Sequence, residues 1–120
     1  MPLKKLGEFK KMDEYEISTS RTSIHLMITK VGDDMDVTIA GGEEHIGCVG
    51  VISNNAYVIN TVKNHREDDI VIPLAKKLSV LTDNTIVIKA GIHFDNITKG
   101  EIKSILESID EMLEIIMDYL

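Results

Sequence analysis

The stretch SIHLMITKVGDDMDVTIA, residues 23–40, is the part of the sequence that decides the predicted fold. Apolar and polar residues alternate in residues 23–29 and 35–40, which is typical of strands that bury one face. Between the two runs lies Gly32-Asp33-Asp34, a combination that favours a turn. The stretch therefore predicts a β-hairpin.

Two more strands are expected after this hairpin. Residues 48–53 follow a glycine-rich loop, and residues 56–62 return after Asn54-Asn55, a pair that tolerates the left-handed backbone of a tight turn. The first half of the chain therefore predicts an antiparallel meander. Residues 1–16 are mixed and charged, and we interpret them as an N-terminal arm or edge segment.

The second half of the chain changes to helical spacing. Apolar residues at positions 70, 71, 74, 75, 78 and 81 predict a helix, which Asp68 or Asp69 is expected to cap. Pro73 is tolerable only if it lies in the first turn of that helix. Residues 85–90 are mostly apolar and predict a central, covered strand. A Thr98-x-x-Glu101 capping box then opens a long helix with one apolar stripe.

These elements predict an α+β fold in the order β-β-β-β-α-β-α. It consists of an antiparallel meander plus one further strand, with two helices packed on the sheet. A length of 120 residues suits a single domain over residues 1–120. Ile115 and Met117 widen the apolar stripe of the long helix, which favours a homodimer that buries the surplus. The alternative is that this helix only covers its own sheet.

Composition argues against several classes of partner. A net charge of −7 disfavours nucleic acid and anionic membrane surfaces, and an aromatic content of 4% disfavours a base-stacking platform. No apolar run approaches the roughly 20 residues needed to span a bilayer, and the first residues turn polar too soon for a signal peptide. Cys48 is the single cysteine, and we expect a cytoplasmic protein.

The first candidate binding loop is GGEEHIG, residues 41–47, with Gly41, Gly42, His45 and Gly47. Its glycines permit close backbone approach to a ligand, and its N–H groups are suited to a phosphate. The Gly-Lys-Ser/Thr of a P-loop is missing, and no helix follows as in a Rossmann fingerprint. The alternative is a turn that merely requires glycine.

The second candidate loop is GIHFDN, residues 91–96, with Gly91, His93, Asp95 and Asn96. It lies between a strand and a helix, where the helix offers unpaired N–H donors and its positive dipole end. The alternative is that Asp95 and Asn96 only cap or bend the chain.

His65 and Arg66 form a third candidate segment, and Arg66 is the obvious residue to pair with an anion. The alternative is a solvated loop. His45, His65 and His93, together with Asp95, would also satisfy a transition metal if folding brought them together.

Three strings carry a resemblance to a known family. They are GGEEHIG at 41–47, the segment 65–75, and AGIHFDNIT at 90–98. Together they resemble the prenylated-flavin chaperone domain, LpdD-like, over roughly residues 17–115. That family is associated with UbiD-type decarboxylases, and its fold is similar to that of the eukaryotic proteasome assembly chaperones.

The resemblance implies a non-catalytic helper that matures, holds or delivers prenylated FMN or FMN to a UbiD-type decarboxylase. Arg66 and loop N–H groups would then hold the phosphate, and His45 and His93 would face the flavin ring or its carbonyls. Phe94 and Tyr57 are the aromatic candidates for stacking. Two alternatives stay open: an assembly chaperone without a small ligand, and a metal-dependent enzyme that uses the three histidines.

Overall fold

The computed structural model describes residues 2–8, 12–19, 22–62 and 66–120. Within these ranges the chain forms six strands and three helices. The strands are β1 (Asp13–Ser18), β2 (Ser23–Val31), β3 (Asp34–Gly42), β4 (Cys48–Ser53), β5 (Ala56–Thr61) and β6 (Ile86–His93). The helices are α1 (Asp68–Ser79), which precedes β6, and α2 (Lys99–Glu107) and α3 (Ile109–Met117), which follow it.

The strands form one mixed sheet in the order β1-β2-β3-β6-β4-β5. The predicted hairpin is confirmed as β2–β3, and the predicted turn at Asn54-Asn55 is confirmed with φ angles of 53° and 61°. β6 is parallel to β3 and antiparallel to β4. It lies between these two strands and so divides the antiparallel run expected for the first half of the chain. β1 pairs with β2 at one edge of the sheet.

The α+β architecture is confirmed, with the helices packed on one face of the sheet. In-register residues of neighbouring strands, such as Leu26, Ile39 and Ala90, point to this face and are buried. Met112 and Ile116 of α3 and Leu74 of α1 complete the core. No helix in the described part of the chain is long and apolar enough to cross a bilayer.

The start of α1 differs from the prediction. The residue at its N-cap is Glu67, while Asp68 and Asp69 belong to the first turn and neither acts as the cap. Pro73 is therefore the sixth residue of α1, one turn later than expected. A proline there has no N–H to donate to the carbonyl of Asp69. The side chain of Glu67 makes no capping hydrogen bond to the helix.

The predicted C-terminal helix is divided into α2 and α3 at Ser108, whose backbone stays helical with φ −74° and ψ −8°. The capping box is confirmed: Thr98 Oγ1 accepts from the Glu101 N–H at 3.1 Å, and Glu101 Oε1 accepts from the Thr98 N–H at 3.2 Å. The predicted apolar stripe is only partly covered: Ile105, Ile109, Met112 and Ile116 are buried and Leu113 is partly buried, but Ile102, Leu106 and Leu120 remain 44%, 36% and 44% exposed. The capping box thus orients a helix that is only partly covered.

Replacing Thr98 by alanine is expected to lower the free energy of unfolding by about 1 kcal/mol, because the N–H of Glu101 loses its acceptor. The measurement is urea unfolding followed by circular dichroism. Thr98→Ser keeps the hydroxyl and is expected to behave like the natural protein. Equal losses in the two variants would contradict this role of the hydroxyl.

Candidate functional site

The two glycine–histidine loops lie side by side at one end of the sheet. The N–H of Glu43 donates to the carbonyl of His93 at 2.9 Å, and the N–H of Gly47 donates to the carbonyl of Ala90 at 2.8 Å. These bonds continue the pairing of β3 with β6 and of β4 with β6 beyond the strands. The register of the sheet therefore brings the two predicted loops together.

Glycine is required where the loops touch. A Cβ on Gly91 would lie 1.6 Å from the carbonyl oxygen of His45, and one on Gly42 would lie 1.9 Å from that of His93. Gly42 also has a φ of 66°, which disfavours other residues. Gly41 is buried against the side chains of Ile24 and Phe94. These glycines thus serve the contact of one loop with the other or with the core.

The carboxylate of Glu67 joins both loops to α1. Glu67 is 7% exposed, and its Oε1 accepts a hydrogen bond from His45 Nε2 at 2.8 Å and one from the N–H of Ile92 at 3.3 Å. Gly47 packs on the same group, since a Cβ there would lie 2.2 Å from Glu67 Oε2. The first loop, the end of β6 and the N-terminus of α1 are therefore held by one side chain.

His45 and Glu67 stabilise each other's charged forms. His45 Nδ1 lies 3.1 Å from the carbonyl oxygen of Glu43. This bond raises the pKa of His45, burial lowers it, and the bond to Glu67 raises it further, with a net increase. Burial raises the pKa of Glu67, but bonds from its own N–H, from His45 and from Ile92 outweigh burial and lower it. An imidazolium that donates from both ring nitrogens fits this arrangement.

A cleft of about 470 Å³ opens beside this ion pair. Ligand pockets commonly have volumes of roughly 300–1,000 Å³. Its polar lining consists of His45, Arg66, Glu67, Asp69 and His93. Its aliphatic lining consists of Ile70, Ile92, Ile97, Ile102, Ile105 and Leu106, and we call these six residues the aliphatic wall. The cleft can therefore offer both polar and apolar contacts to one ligand.

The predicted site residues have different places in this arrangement. His45, Arg66 and His93 line the cleft, whereas Gly41, Gly42, Gly47 and Gly91 lie in the contacts beneath it. Asp95 is exposed and contacts His93 Nε2 at 3.2 Å, and Asn96 makes a turn with a φ of 56°. His65 lies outside the described residues.

Two features of the cleft were not predicted from the sequence. Glu67 belongs to an acidic run that indicated only a helix start, and nothing local marks it as a buried partner of His45. The cleft also faces the side of α2 with Ile102 and Leu106, whereas we expected ligand contacts at the N-terminal amides of that helix. The apolar stripe was visible in the sequence, but its incomplete burial was not.

The described residues also bear on the other chemistries that the sequence left open. In residues 2–8, 12–19, 22–62 and 66–120, no group of three or more His, Cys, Asp or Glu side chains is placed to hold a metal ion. Cys48 is buried in the core, and burial raises the pKa of its thiol. Cys48 therefore packs as a small core residue.

Gly47→Ala is expected to lower the free energy of unfolding by about 1–3 kcal/mol, because the new methyl group overlaps the Glu67 carboxylate. Gly100→Ala is the matched control. A Cβ added at Gly100 would lie 3.9 Å from Thr98 Oγ1, which is an ordinary contact. Alanine should therefore stabilise α2 by roughly 0.5–1 kcal/mol. The measurement is urea unfolding of the two variants. Tolerance of both substitutions would contradict the close packing at Gly47.

The ion pair should make stability depend on pH. Because the pKa of His45 is raised, its contribution to stability is fully present below pH 6.5 and is lost as pH rises through the pKa of the folded state. Because the pKa of Glu67 is lowered, its contribution to stability is fully present above pH 4.5 and is lost as pH falls through the pKa of the folded state. The difference in free energy of unfolding between the natural protein and Glu67→Gln should therefore be largest between pH 4.5 and 6.5. Urea unfolding at several pH values tests this, and a constant difference would contradict it.

Comparison with known proteins places the chain in a family. The family model described as the prenylated flavin chaperone LpdD-like domain matches residues 18–120. Among solved structures, a chain from a chaperone complex for yeast 20S proteasome assembly is similar, with a TM-score of 0.57, 8% identity, and coverage of 92% of this chain and 99% of that one. At that identity the likeness concerns the fold alone. A comparison with curated proteins gave no match. Because the family model covers most of the sequence, the chain belongs to the prenylated flavin chaperone LpdD-like domain family.

Proposed function

We propose that this protein is a non-catalytic chaperone that holds prenylated FMN or FMN in the cleft and passes it to a UbiD-type decarboxylase. The observation that carries the proposal is the composition of the cleft. Arg66 and the imidazoles of His45 and His93 line it together with the carboxylates of Glu67 and Asp69, and six aliphatic side chains complete the lining. A phosphorylated flavin likewise combines an anionic phosphate with a ring system that has both polar edges and apolar surface.

Arg66 is the proposed phosphate ligand. It is exposed, borders the cleft and directly precedes the N-cap residue of α1. A guanidinium group donates two parallel hydrogen bonds to phosphate oxygens, which adds direction to the charge attraction. The neighbouring Glu67 opposes an anion less than an isolated carboxylate would, because His45 is bound to it.

His93 is the proposed polar contact for the flavin ring. Its side chain is 56% exposed and borders the cleft, so a ligand can reach it without a rearrangement of the core. The role of His45 differs from the one first expected. Both of its ring nitrogens bind protein oxygens, so we assign it to holding the loop and not to binding flavin carbonyls.

Several properties support an encounter with a protein partner. The net charge of −7 suits docking to a basic surface on the decarboxylase. Met117 and Leu120 stay exposed at the end of the C-terminal helix, and this supports the homodimer expected from the wide apolar stripe. The single, buried cysteine is compatible with the cytoplasmic location that we propose.

A second candidate function is assembly of protein complexes without a small ligand. The fold shared with a chain of the yeast proteasome-assembly chaperone complex favours this alternative. Fold similarity is an analogy, however, because one fold can support many functions. The cleft is the feature that distinguishes the two candidates, since an assembly chaperone does not require it.

Arg66→Gln is expected to weaken FMN binding by about ten- to a hundredfold, because a hydrogen bond to a charged group typically contributes about 1.5–3 kcal/mol. The measurement is an anaerobic calorimetric titration with FMN and, in parallel, with riboflavin, which has no phosphate. Riboflavin affinity should be unchanged by this substitution. Lys103→Gln removes one positive charge from the exposed side of α2 and is the matched control.

His93→Ala should weaken the binding of FMN and of riboflavin alike, since the contact is assigned to the ring. Its exposed side chain makes unfolding of the variant unexpected, and circular dichroism checks the fold. Absence of flavin binding to the natural protein would reject the carrier function and favour the assembly chaperone.

A further inference from the structure

The aliphatic wall has an unusual composition for a flavin site. Phe, Tyr and Trp are absent from the described residues that line the cleft. The two aromatic candidates from the sequence lie elsewhere: Phe94 packs on Gly41 and Gly42, and Tyr57 on β5 packs against the core. Stacking on a flat aromatic side chain is therefore not how this wall can hold a ligand.

Branched aliphatic side chains suit another kind of surface. Isoleucine and leucine present methyl groups in several directions, and they pack well on a hydrocarbon that is itself not flat. A prenyl group is a branched hydrocarbon, and its addition to a flavin gives the ligand such a surface. The gain on burial is set by the apolar area removed from water.

Ile102 and Leu106 are the most exposed residues of the aliphatic wall. They are 44% and 36% exposed, although they belong to the apolar stripe that continues into the core at Ile105 and Ile109. They lie one turn apart on α2 and so present neighbouring side chains to the cleft. A ligand placed there would cover apolar surface that now faces solvent.

We propose that the aliphatic wall, through Ile102 and Leu106, binds the prenyl-derived hydrocarbon of the cofactor and makes the protein select prenylated FMN over FMN. This inference rests on the proposed function, because it assigns selectivity to the same cleft. Phosphate binding at Arg66 contributes equally to both flavins. The aliphatic wall contributes more to the binding of prenylated FMN than to the binding of FMN.

The experiment compares two ligands across four proteins under anaerobic conditions. Reduced prenylated FMN and reduced FMN are titrated into the natural protein, Ile102→Ser, Leu106→Ser and Leu81→Ser. Leu81 is 46% exposed just after α1 and is not part of the cleft, so it controls for the loss of an exposed apolar side chain. Circular dichroism and unfolding midpoints verify that every variant is folded.

The natural protein is expected to bind prenylated FMN about tenfold more tightly than FMN, a difference of about 1.4 kcal/mol. Ile102→Ser and Leu106→Ser should each reduce this ratio of affinities several-fold, mainly by weakening the binding of the prenylated ligand, while Leu81→Ser leaves the ratio unchanged. If the natural protein bound the two flavins equally tightly, or if both wall variants kept the natural ratio of affinities, the proposed selectivity would be overturned. Flavin binding itself would remain supported. Failure of both flavins to bind would overturn the proposed function as well.

Discussion

The buried carboxylate of Glu67 is the constraint on which the geometry of the cleft depends. A carboxylate removed from water must be matched by hydrogen-bond donors, and the chain supplies them from His45 and from the N–H of Ile92. These donors come from the loop before β4 and from the end of β6, while Glu67 itself starts α1. One charge therefore fixes the relative positions of three segments that are far apart in sequence. The glycines beneath allow the loops to approach closely enough for these bonds to form.

The polar and aliphatic parts of the cleft lining are stabilised by different means. His45 and Glu67 are held by their ion pair, and backbone bonds join the two loops. Ile102 and Leu106 belong to α2, whose first turn is held by the capping box at Thr98. Leaving such side chains partly exposed forgoes burial that would stabilise the fold. The ligand that we propose would cover this surface.

Features set by neighbouring residues were predictable from the sequence, and features set by distant pairing were not. The β2–β3 hairpin, the Asn54-Asn55 turn and the Thr98 capping box each depend on residues a few positions apart, and all three were found. The insertion of β6 between β3 and β4 depends on long-range pairing. The same holds for Glu67, whose partner His45 is 22 residues away in the chain. An acidic run before a helix is the ordinary signature of a helix start, so burial of its first member leaves no local trace.

The proposed carrier function also requires release of the ligand, and the composition of the cleft suits release. Apolar contact with the aliphatic wall is non-directional, so affinity grows with covered area and requires no dense network of hydrogen bonds. Arg66 and His93 are exposed, and their contacts to a ligand would be open to competition from solvent and from a partner. Transfer to an apo-enzyme requires only that the enzyme bind the cofactor more tightly than the carrier does. In the proposed carrier, one exposed guanidinium and an aliphatic wall would combine moderate affinity with selectivity, which is the combination that hand-over of a cofactor needs.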